Sequence, residues 1–125
     1  MGLETNTRQP DLNCIFCKIV KGEIPSKFLL ETQDVVAFND ISPQAPTHVL
    51  IIPREHVKDI SKLSESAEDR ALLGTLFQQA AELALKLKLE NGFRLVVNTG
   101  DEGGQTVHHL HLHLIGGRQM VWPPG

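Results

Sequence analysis

The histidines near the end of the chain have the spacing of a reactive site. His109, His111 and His113 alternate with leucines within residues 108–115, and a period of two is that of a β-strand. The leucines are therefore predicted to face a core, and the imidazoles to share the other face, about 6.6 Å apart along the strand. Neutral imidazoles need hydrogen-bond partners and charged ones repel each other, so packing alone does not explain the run. The pattern indicates a site for an anion or a metal.

Imidazole suits chemistry at phosphorus. Its ordinary pKa is about 6.5, so the nucleophilic neutral form is available at pH 7, and a phosphoryl-imidazole is reactive enough for water to cleave it. The preceding loop offers accessory groups: Gly103 and Gly104 let backbone N–H groups approach an anion, while Gln105 and Thr106 add an amide and a hydroxyl. Two other interpretations stay open, a structural histidine strand and a zinc site built on a His-x-His pair.

Cys14 and Cys17, the only cysteines of the sequence, have the Cys-x-x-Cys spacing of zinc ligands. Secreted disulfide scaffolds use more cysteines, and no apolar signal segment follows Met1. We therefore expect a reducing, cytoplasmic setting in which the thiols are reduced or metal-bound. The alternative is a pair of idle thiols on a short helix; a redox role is not favoured, because no βαβ pattern surrounds the pair.

Composition narrows the class of protein. The 125 residues fit one domain with its own core, and 41% of them are hydrophobic. A net charge of −3 without a Lys/Arg stripe argues against a nucleic-acid partner, and no apolar run approaches the roughly 20 residues that span a bilayer. Residues 1–12 are predicted to form a flexible N-terminal extension, and residues 13–125 the domain.

Periodicity and caps predict the elements that position these residues. Asn13 is expected to cap a short helix that ends near Gly22. Ser66, with Asp69 three residues later, starts a long amphipathic helix whose stop signal is residues 91–92. Strands are predicted at residues 28–31, 35–39, 49–52, 93–98 and 109–115. The sum is an antiparallel meander with one long and one short helix, an α+β domain.

With these motifs in place, the chain resembles a known family. His109 to Ile115 is similar to the histidine triad signature of the HIT superfamily. The residues that resemble its Hint branch, the histidine triad nucleotide-binding proteins, lie in segments 40–48, 96–98, 103–105 and 116–125. The ending argues against the dinucleoside polyphosphate hydrolase branch, and His113 argues against the uridylyltransferase branch, which has Gln there. The resemblance covers residues 14–125.

The resemblance implies a hydrolase of purine nucleoside 5′-phosphoramidates with an AMP or GMP moiety, an adenosine 5′-monophosphoramidase. The implied HIT-like fold is a homodimer that joins two five-stranded antiparallel sheets. His111 would carry a nucleotidyl intermediate, the carbonyl of His109 would orient its ring, and His48 would relay a proton. The implied nucleotide site contains Asp40 for the ribose, Phe16, Ile24 and Ile41 for the base, Asn98, Gly104, Gln105, Thr106 and His113 for the phosphate and departing amine, and Trp122 reaching towards the partner subunit.

The resemblance also extends to a metal. HIT proteins with structural zinc bind it through this cysteine pair, which implies His56 and His109 as the remaining ligands; the zinc would brace the N-terminal helix, and catalysis would need no cofactor. Three positions depart from the branch: Thr106 replaces the usual Ser, His108 replaces an aromatic residue, and Asn39 lies near the ribose pocket. Two other functions remain open, a nucleotide-binding regulatory or scaffold protein with little turnover and a metalloprotein whose strand histidines bind catalytic zinc.

Overall fold

The computed structural model describes residues 8–125. Its elements are helix α1 (Ile15–Lys21), strands β1 (Phe28–Glu31), β2 (Val35–Asn39) and β3 (Thr47–Pro53), a 3₁₀ turn (Ile60–Lys62), helix α2 (Ala67–Lys86), and strands β4 (Phe93–Val96) and β5 (Leu112–Gly116). The predicted α+β fold, with five antiparallel strands in one sheet and one long and one short helix, is confirmed. Neither helix in the described part of the chain has the length and apolarity needed to cross a membrane.

The order of the strands differs from the predicted meander. The sheet runs β1-β2-β3-β5-β4, so the last strand of the chain inserts between β3 and β4. Leu114 of β5 therefore pairs with Val49 on one side and Leu95 on the other. Periodicity predicts that strands exist but not which neighbours they take, and burial of the β5 leucines favours the central position. The consequence is that His113 lies in the middle of the sheet, opposite Leu50.

The two faces of the sheet bury different helices. One face packs against α2, and this core contains Val35, Ala37, Val49, Ile51, Leu76, Ala80, Leu83, Ala84, Leu110, Leu112 and Leu114. The other face lies beneath α1, and this core contains Cys14, Phe16, Cys17, Ile19, Val36, Phe38, Leu50 and Ile52. Because side chains alternate along a strand, the leucines of the histidine run enter the α2 core, as predicted. The histidines are left on the α1 side.

The helix ends confirm part of the capping predictions. Cys14, not Asn13, is the N-cap of α1, and its Sγ accepts a hydrogen bond from the Cys17 N–H. The αL conformation of Gly22 ends this helix as expected. Ser66 caps α2 as predicted. That helix nevertheless ends at Lys86, earlier than the predicted stop at residues 91–92, which form a later turn.

The described part of the predicted N-terminal extension is anchored to the domain. The Arg8 guanidinium donates two hydrogen bonds to the Asp69 carboxylate, at 2.7 and 2.8 Å, and a third to the Lys62 carbonyl. Asp69 therefore does not close a capping box with Ser66; its second oxygen accepts instead from Ser64. Residues 1–7 of the predicted extension lie outside the described residues. The predicted boundary at residue 13 thus comes after an anchored residue.

Candidate active site and metal cluster

The histidine run lies only partly within the sheet. β5 begins at Leu112, so His113 is a strand residue whereas His109 and His111 precede the strand. The predicted strand over residues 109–115 is therefore too long at its start. Just before β5, the Leu110 N–H donates to the Val57 carbonyl instead of to β3. The segment that carries the first two histidines is thus positioned by contacts other than strand pairing.

The ring of His111 has its protonation pattern set by the backbone. Its Nδ1 lies 2.7 Å from the carbonyl oxygen of His109. A carbonyl can only accept, so Nδ1 carries the proton and the lone pair is on Nε2. Burial lowers the pKa of His111, against the opposing effects of that hydrogen bond and of Asp40. The result is a neutral ring whose Nε2 is available as a nucleophile.

A chain of hydrogen bonds sets the opposite pattern in His113. The Gln44 backbone N–H donates to Nδ1 of His48 at 3.0 Å, so the proton of His48 is on Nε2. That Nε2–H donates to Nδ1 of His113 at 2.9 Å. His113 therefore carries its own proton on Nε2. Burial, followed by the nearby His111 and His48, lowers the pKa of His113 to about 4, so this ring is neutral as well.

His111 and His113 thus present complementary groups. The ring centroids of His111 and His113 are 4.9 Å apart. One ring offers an acceptor lone pair on Nε2, and the other offers an Nε2–H donor. A nucleophile next to a hydrogen-bond donor is what displacement at an anionic phosphorus centre requires.

A carboxylate completes this cluster without making it a metal site. Oδ2 of Asp40 lies 3.5 Å from Nε2 of His48, and Oδ1 accepts from the Ser42 N–H. Asp40, His48 and His113 are close enough to hold an ion. However, Nδ1 of His48 already accepts from Gln44, so metal binding at Nε2 would require an imidazolate. The arrangement favours a proton path over a metal centre.

A largely apolar cleft of about 320 Å³ lies beside this cluster. Its walls include five of the residues implied for nucleotide binding, namely Phe16, Ile24, Asp40, Ile41 and Thr106. The Phe16 and His111 rings meet nearly at right angles, with centroids 5.2 Å apart, so the cleft adjoins His111. Ile41 is 95% exposed, so its side chain is free to cover a ligand. An apolar slot with one carboxylate fits a base and a ribose.

The glycine-rich loop is held together largely by its own polar groups. The Gln105 side chain accepts from the Gly100 N–H and donates to the carbonyls of Lys58 and Val107. The backbone N–H of Gly104 donates to Asp101, and the amide of Asn98 donates to Gly103. Gln105 and Gly104 therefore shape the loop instead of offering free donors. The exposed hydroxyl of Thr106 and the second amide N–H of Asn98 remain for a ligand.

The cysteine pair forms a second cluster with two histidines. Ligand atoms of Cys14, Cys17, His56 and His109 all lie within 4.8 Å of one another. The Sγ···Nδ1 distances are 3.4 Å for Cys14–His109, 3.6 Å for Cys17–His109 and 3.3 Å for Cys17–His56. Zinc bonds of about 2.3 Å to sulfur and about 2.05 Å to nitrogen place two tetrahedral ligands roughly 3.6 Å apart. The cluster therefore fits a structural zinc ion.

His109 is prepared as a ligand of that cluster. Its Nε2 lies 2.9 Å from the Pro53 carbonyl, so Nε2 is protonated and the Nδ1 lone pair faces the thiols. Burial lowers the pKa of His109 to about 4 and raises the pKa of Cys14 to about 11. Without a metal, the His109 ring and the Cys14 thiol are thus neutral, and zinc would displace the thiol proton on binding. Because protein atoms supply all four ligands, no position is left for a reactive water.

Of three further residues singled out in the sequence, two lie outside the contacts described above and one lines the apolar cleft. Trp122 is 82% exposed on the C-terminal tail, so it does not cover the histidines of its own chain. His108 is exposed and does not join the triad. Asn39 lines the apolar cleft next to Asp40.

The structure adds groups that the sequence did not point to. Gln44, Pro53 and Val57 act through backbone atoms, so their side chains carry no signal of the role. Gly103 is needed for space: a Cβ there would lie 2.2 Å from the Thr99 carbonyl oxygen. The Gly103-Gly104 pair did signal a special backbone, although anion binding was the predicted reason.

Comparison with known proteins agrees with this geometry. Residues 21–120 match the HIT domain family. A 14 kDa zinc-binding protein of Zea mays is 51% identical over 120 residues, which are 94% of this chain and 92% of the relative. A HIT family hydrolase from Legionella pneumophila superposes with a TM-score of 0.86 at 51% identity, covering 90% of this chain and all of the other. A histidine triad nucleotide-binding protein from Candida albicans gives 0.75 at 35%, covering 89% and 83%.

These comparisons define the class of protein to which the histidines and the apolar cleft belong. The chain belongs to the HIT domain family. It shares its fold with solved HIT family hydrolases.

Proposed function

We propose that this protein hydrolyses the P–N bond of purine nucleoside 5′-phosphoramidates, as a member of the Hint branch. The observation that carries the proposal is the pairing of a lone pair on His111 Nε2 with a proton on His113 Nε2 in neighbouring rings. Similarity to a protein described as nucleotide-binding supports the substrate class. The adjoining cleft, with Asp40 among apolar side chains, supports a nucleoside.

In the first step, Nε2 of His111 attacks phosphorus, and the P–N bond breaks with its electron pair leaving on the amine nitrogen. The departing amine takes a proton from the Thr106 hydroxyl, which recovers a proton from the water that attacks in the second step. The nucleotidyl-imidazole then carries a positive charge, which the His109 carbonyl stabilises through the Nδ1–H. In the second step, water displaces Nε2 and releases the nucleoside monophosphate.

The other residues bind and orient. His113 donates its Nε2–H to a phosphate oxygen. His48, held by the Gln44 N–H, keeps that proton on Nε2 of His113 by donating to its Nδ1. Asp40 accepts from the ribose hydroxyls, and Ile41 with Phe16 and Ile24 encloses the base. Asn98 donates its second amide N–H to the phosphate. None of these roles uses a metal ion.

We propose further that Cys14, Cys17, His56 and His109 bind structural zinc. The donor set and the distances of 3.3–3.6 Å fit tetrahedral coordination, and the zinc-binding description of the Zea mays relative supports it. Bound zinc would link α1 to the segments that carry His56 and His109. Because its ligand set is closed, the ion would supply folding energy and no chemistry.

Turnover of a fluorogenic adenosine 5′-phosphoramidate tests the proposal. Wild type should hydrolyse it, and His111→Gln should lose activity on the order of 10³-fold or more while still binding AMP. His108→Gln is the matched control, because this neighbouring histidine is exposed and takes part in none of the hydrogen bonds described above. A folded wild type that binds AMP without turnover would instead favour the regulatory or scaffold function. Activity that disappears with the metal, with His111 dispensable, would favour a catalytic metal.

A further inference from the structure

The nucleophile and the metal cluster share one residue. The ring of His109 faces the cysteines through Nδ1, while its backbone carbonyl holds Nδ1 of His111 at 2.7 Å. The position of the His109 ring and the orientation of the His111 ring are therefore set by the same few atoms of main chain.

Few polar contacts hold this part of the chain, although Leu110 packs in the α2 core and His109 is fully buried. Residues 109–111 precede β5, so no strand pairing fixes them. The polar contacts that position His109 and Leu110 are the Leu110 N–H on the Val57 carbonyl, the His109 Nε2 on the Pro53 carbonyl, and the thiol contacts of His109. Val57 directly follows His56, the other histidine of the cluster. A metal that joins His56 and His109 would therefore tie together both sides of the Leu110 hydrogen bond.

The cluster also positions the residue that packs on the nucleophile. Phe16 lies between the two cysteines on α1, and its ring meets His109 and His111 edge to face, with centroids 5.8 and 5.2 Å away. A metal on Cys14 and Cys17 would hold α1, and hence Phe16, against the His111 ring. The His111 ring would then be held by the His109 carbonyl at Nδ1 and by the Phe16 ring packed against it.

We propose that the Cys14–Cys17–His56–His109 cluster is a positioning device for His111, so that metal occupancy regulates the rate of the chemical step. The inference rests on the proposed function and on the proposed zinc site. Removing the metal loosens the segment before β5 and widens the range of His111 ring orientations. Misplacement of a reacting atom by about 1 Å costs about 100-fold in rate, so kcat falls. Asp40 lies in the connection between β2 and β3, outside the metal cluster, so nucleotide affinity falls by a smaller factor than kcat although Phe16 also loosens.

The test compares zinc-loaded, chelated and zinc-reloaded wild type in three measurements. One-to-one zinc content is required at the start. Chelation should lower kcat by about 10- to 100-fold, weaken AMP binding in calorimetry by a smaller factor than it lowers kcat, and broaden or split the His111 imidazole ¹⁵N signals; reloading should restore all of them. His56→Ala should reproduce the chelated state without chelator. Lys21→Ser, an exposed change at the end of α1, is the control.

Each result has a distinct meaning. Sharp, unchanged His111 signals with unchanged kcat in a folded, metal-free protein would overturn the positioning role and leave the proposed hydrolase intact. Absence of stoichiometric zinc in the purified protein, with full activity, would overturn it as well. If chelation unfolds the chain, cadmium-reloaded protein decides: a shift in His111 signals and kcat relative to zinc supports the coupling, and identity of both rejects it. No turnover by zinc-loaded wild type would instead defeat the proposed function.

Discussion

At the scale of single residues, the active site depends on which ring nitrogen of each histidine carries the proton. Backbone groups decide this in three cases: the carbonyl of His109 for His111, the N–H of Gln44 for His48, and the Pro53 carbonyl for His109. Main-chain partners cannot change protonation between pH 5 and pH 8, so they impose one tautomer over the working range. The tautomer of His113 depends instead on another side chain, that of His48.

Burial should shift the pH dependence of turnover to the acid side. The proposed nucleophile is the neutral form of His111, and burial lowers its pKa below the ordinary value, as it lowers that of His113 to about 4. Lowered pKa values keep both rings neutral to lower pH, so the acid limb of kcat/KM is expected below about pH 6.5. Stopped-time assays between pH 4 and pH 8, corrected for spontaneous hydrolysis and for metal content, measure it. A limb at or above pH 6.5 would contradict the assignment.

A methyl group at Gly103 should impair the site without unfolding the domain. The new Cβ would lie 2.2 Å from the Thr99 carbonyl, so the loop that carries Thr106 must move. Gly103→Ala is expected to reduce kcat/KM at least tenfold, in line with the cost of a misplaced catalytic group. Gly74→Ala is the control, because Gly74 is exposed on α2 and no atom lies within 4 Å of an added Cβ. This variant should keep activity, and its stability should equal or exceed that of wild type. Equal activity of the two variants would contradict the role of Gly103.

At the scale of elements, the sequence predicted the short strands best. β1 and β2 were expected at the observed residues, because each is a brief apolar run bounded by turn residues. The start of β5 was misplaced: alternation at residues 109–111 is real, but Val57 takes the hydrogen bond that β3 would have used. The same limit applies to the strand order, since periodicity describes each strand alone. The histidine tautomers could not be predicted for a related reason: they are set by backbone atoms, which every residue type has.

The ion pair of Arg8 and Asp69 should contribute measurable stability at the start of α2. The two side chains are only 26% and 7% exposed, so solvent screens the pair less than a surface bridge. Arg8→Gln is expected to lower the free energy of unfolding by about 1–3 kcal/mol at pH 7. Chemical denaturation followed by circular dichroism measures it, with Arg70→Gln, whose nearest carboxylate is 3.9 Å away at the surface, as control.

The effect of Arg8 should disappear in acid. The guanidinium, followed by hydrogen bonds from Ser64, holds the pKa of the Asp69 carboxyl well below its usual range. A depressed pKa means that the contribution is complete above the unfolded value of about 3.9 and is lost as pH falls through the lower folded value. The gap between wild type and Arg8→Gln should therefore be constant from pH 7 to pH 5 and shrink below pH 4. A gap that grows in acid would contradict the pairing.

For the molecule as a whole, the β4 edge of the sheet carries an exposed aromatic side chain. β4 is an edge strand, Phe93 at its start is 43% exposed, and Arg94 ties the exposed tail to it through the Val121 carbonyl. Free edges with apolar side chains favour association. The family resemblance implies a homodimer that joins two sheets, and we propose that they join at β4.

Sedimentation equilibrium tests that assembly. Wild type is expected at twice the 13.8 kDa chain mass. Phe93→Lys should weaken association at least tenfold, because it puts a charge on the pairing edge. Leu85→Lys, at an apolar position on α2 that is 79% exposed, should leave it unchanged. A wild type that stays monomeric at all concentrations would reject the dimer.

The proposed function depends on a covalent nucleotidyl intermediate on His111. Rapid quenching of wild type with an adenosine 5′-phosphoramidate, followed by intact-mass and peptide mass spectrometry, tests whether this intermediate forms. One adenylyl group per chain is expected at early times, located on His111 and absent from His111→Gln. Product formation without any adduct, or an adduct on His113 or another residue, would contradict it.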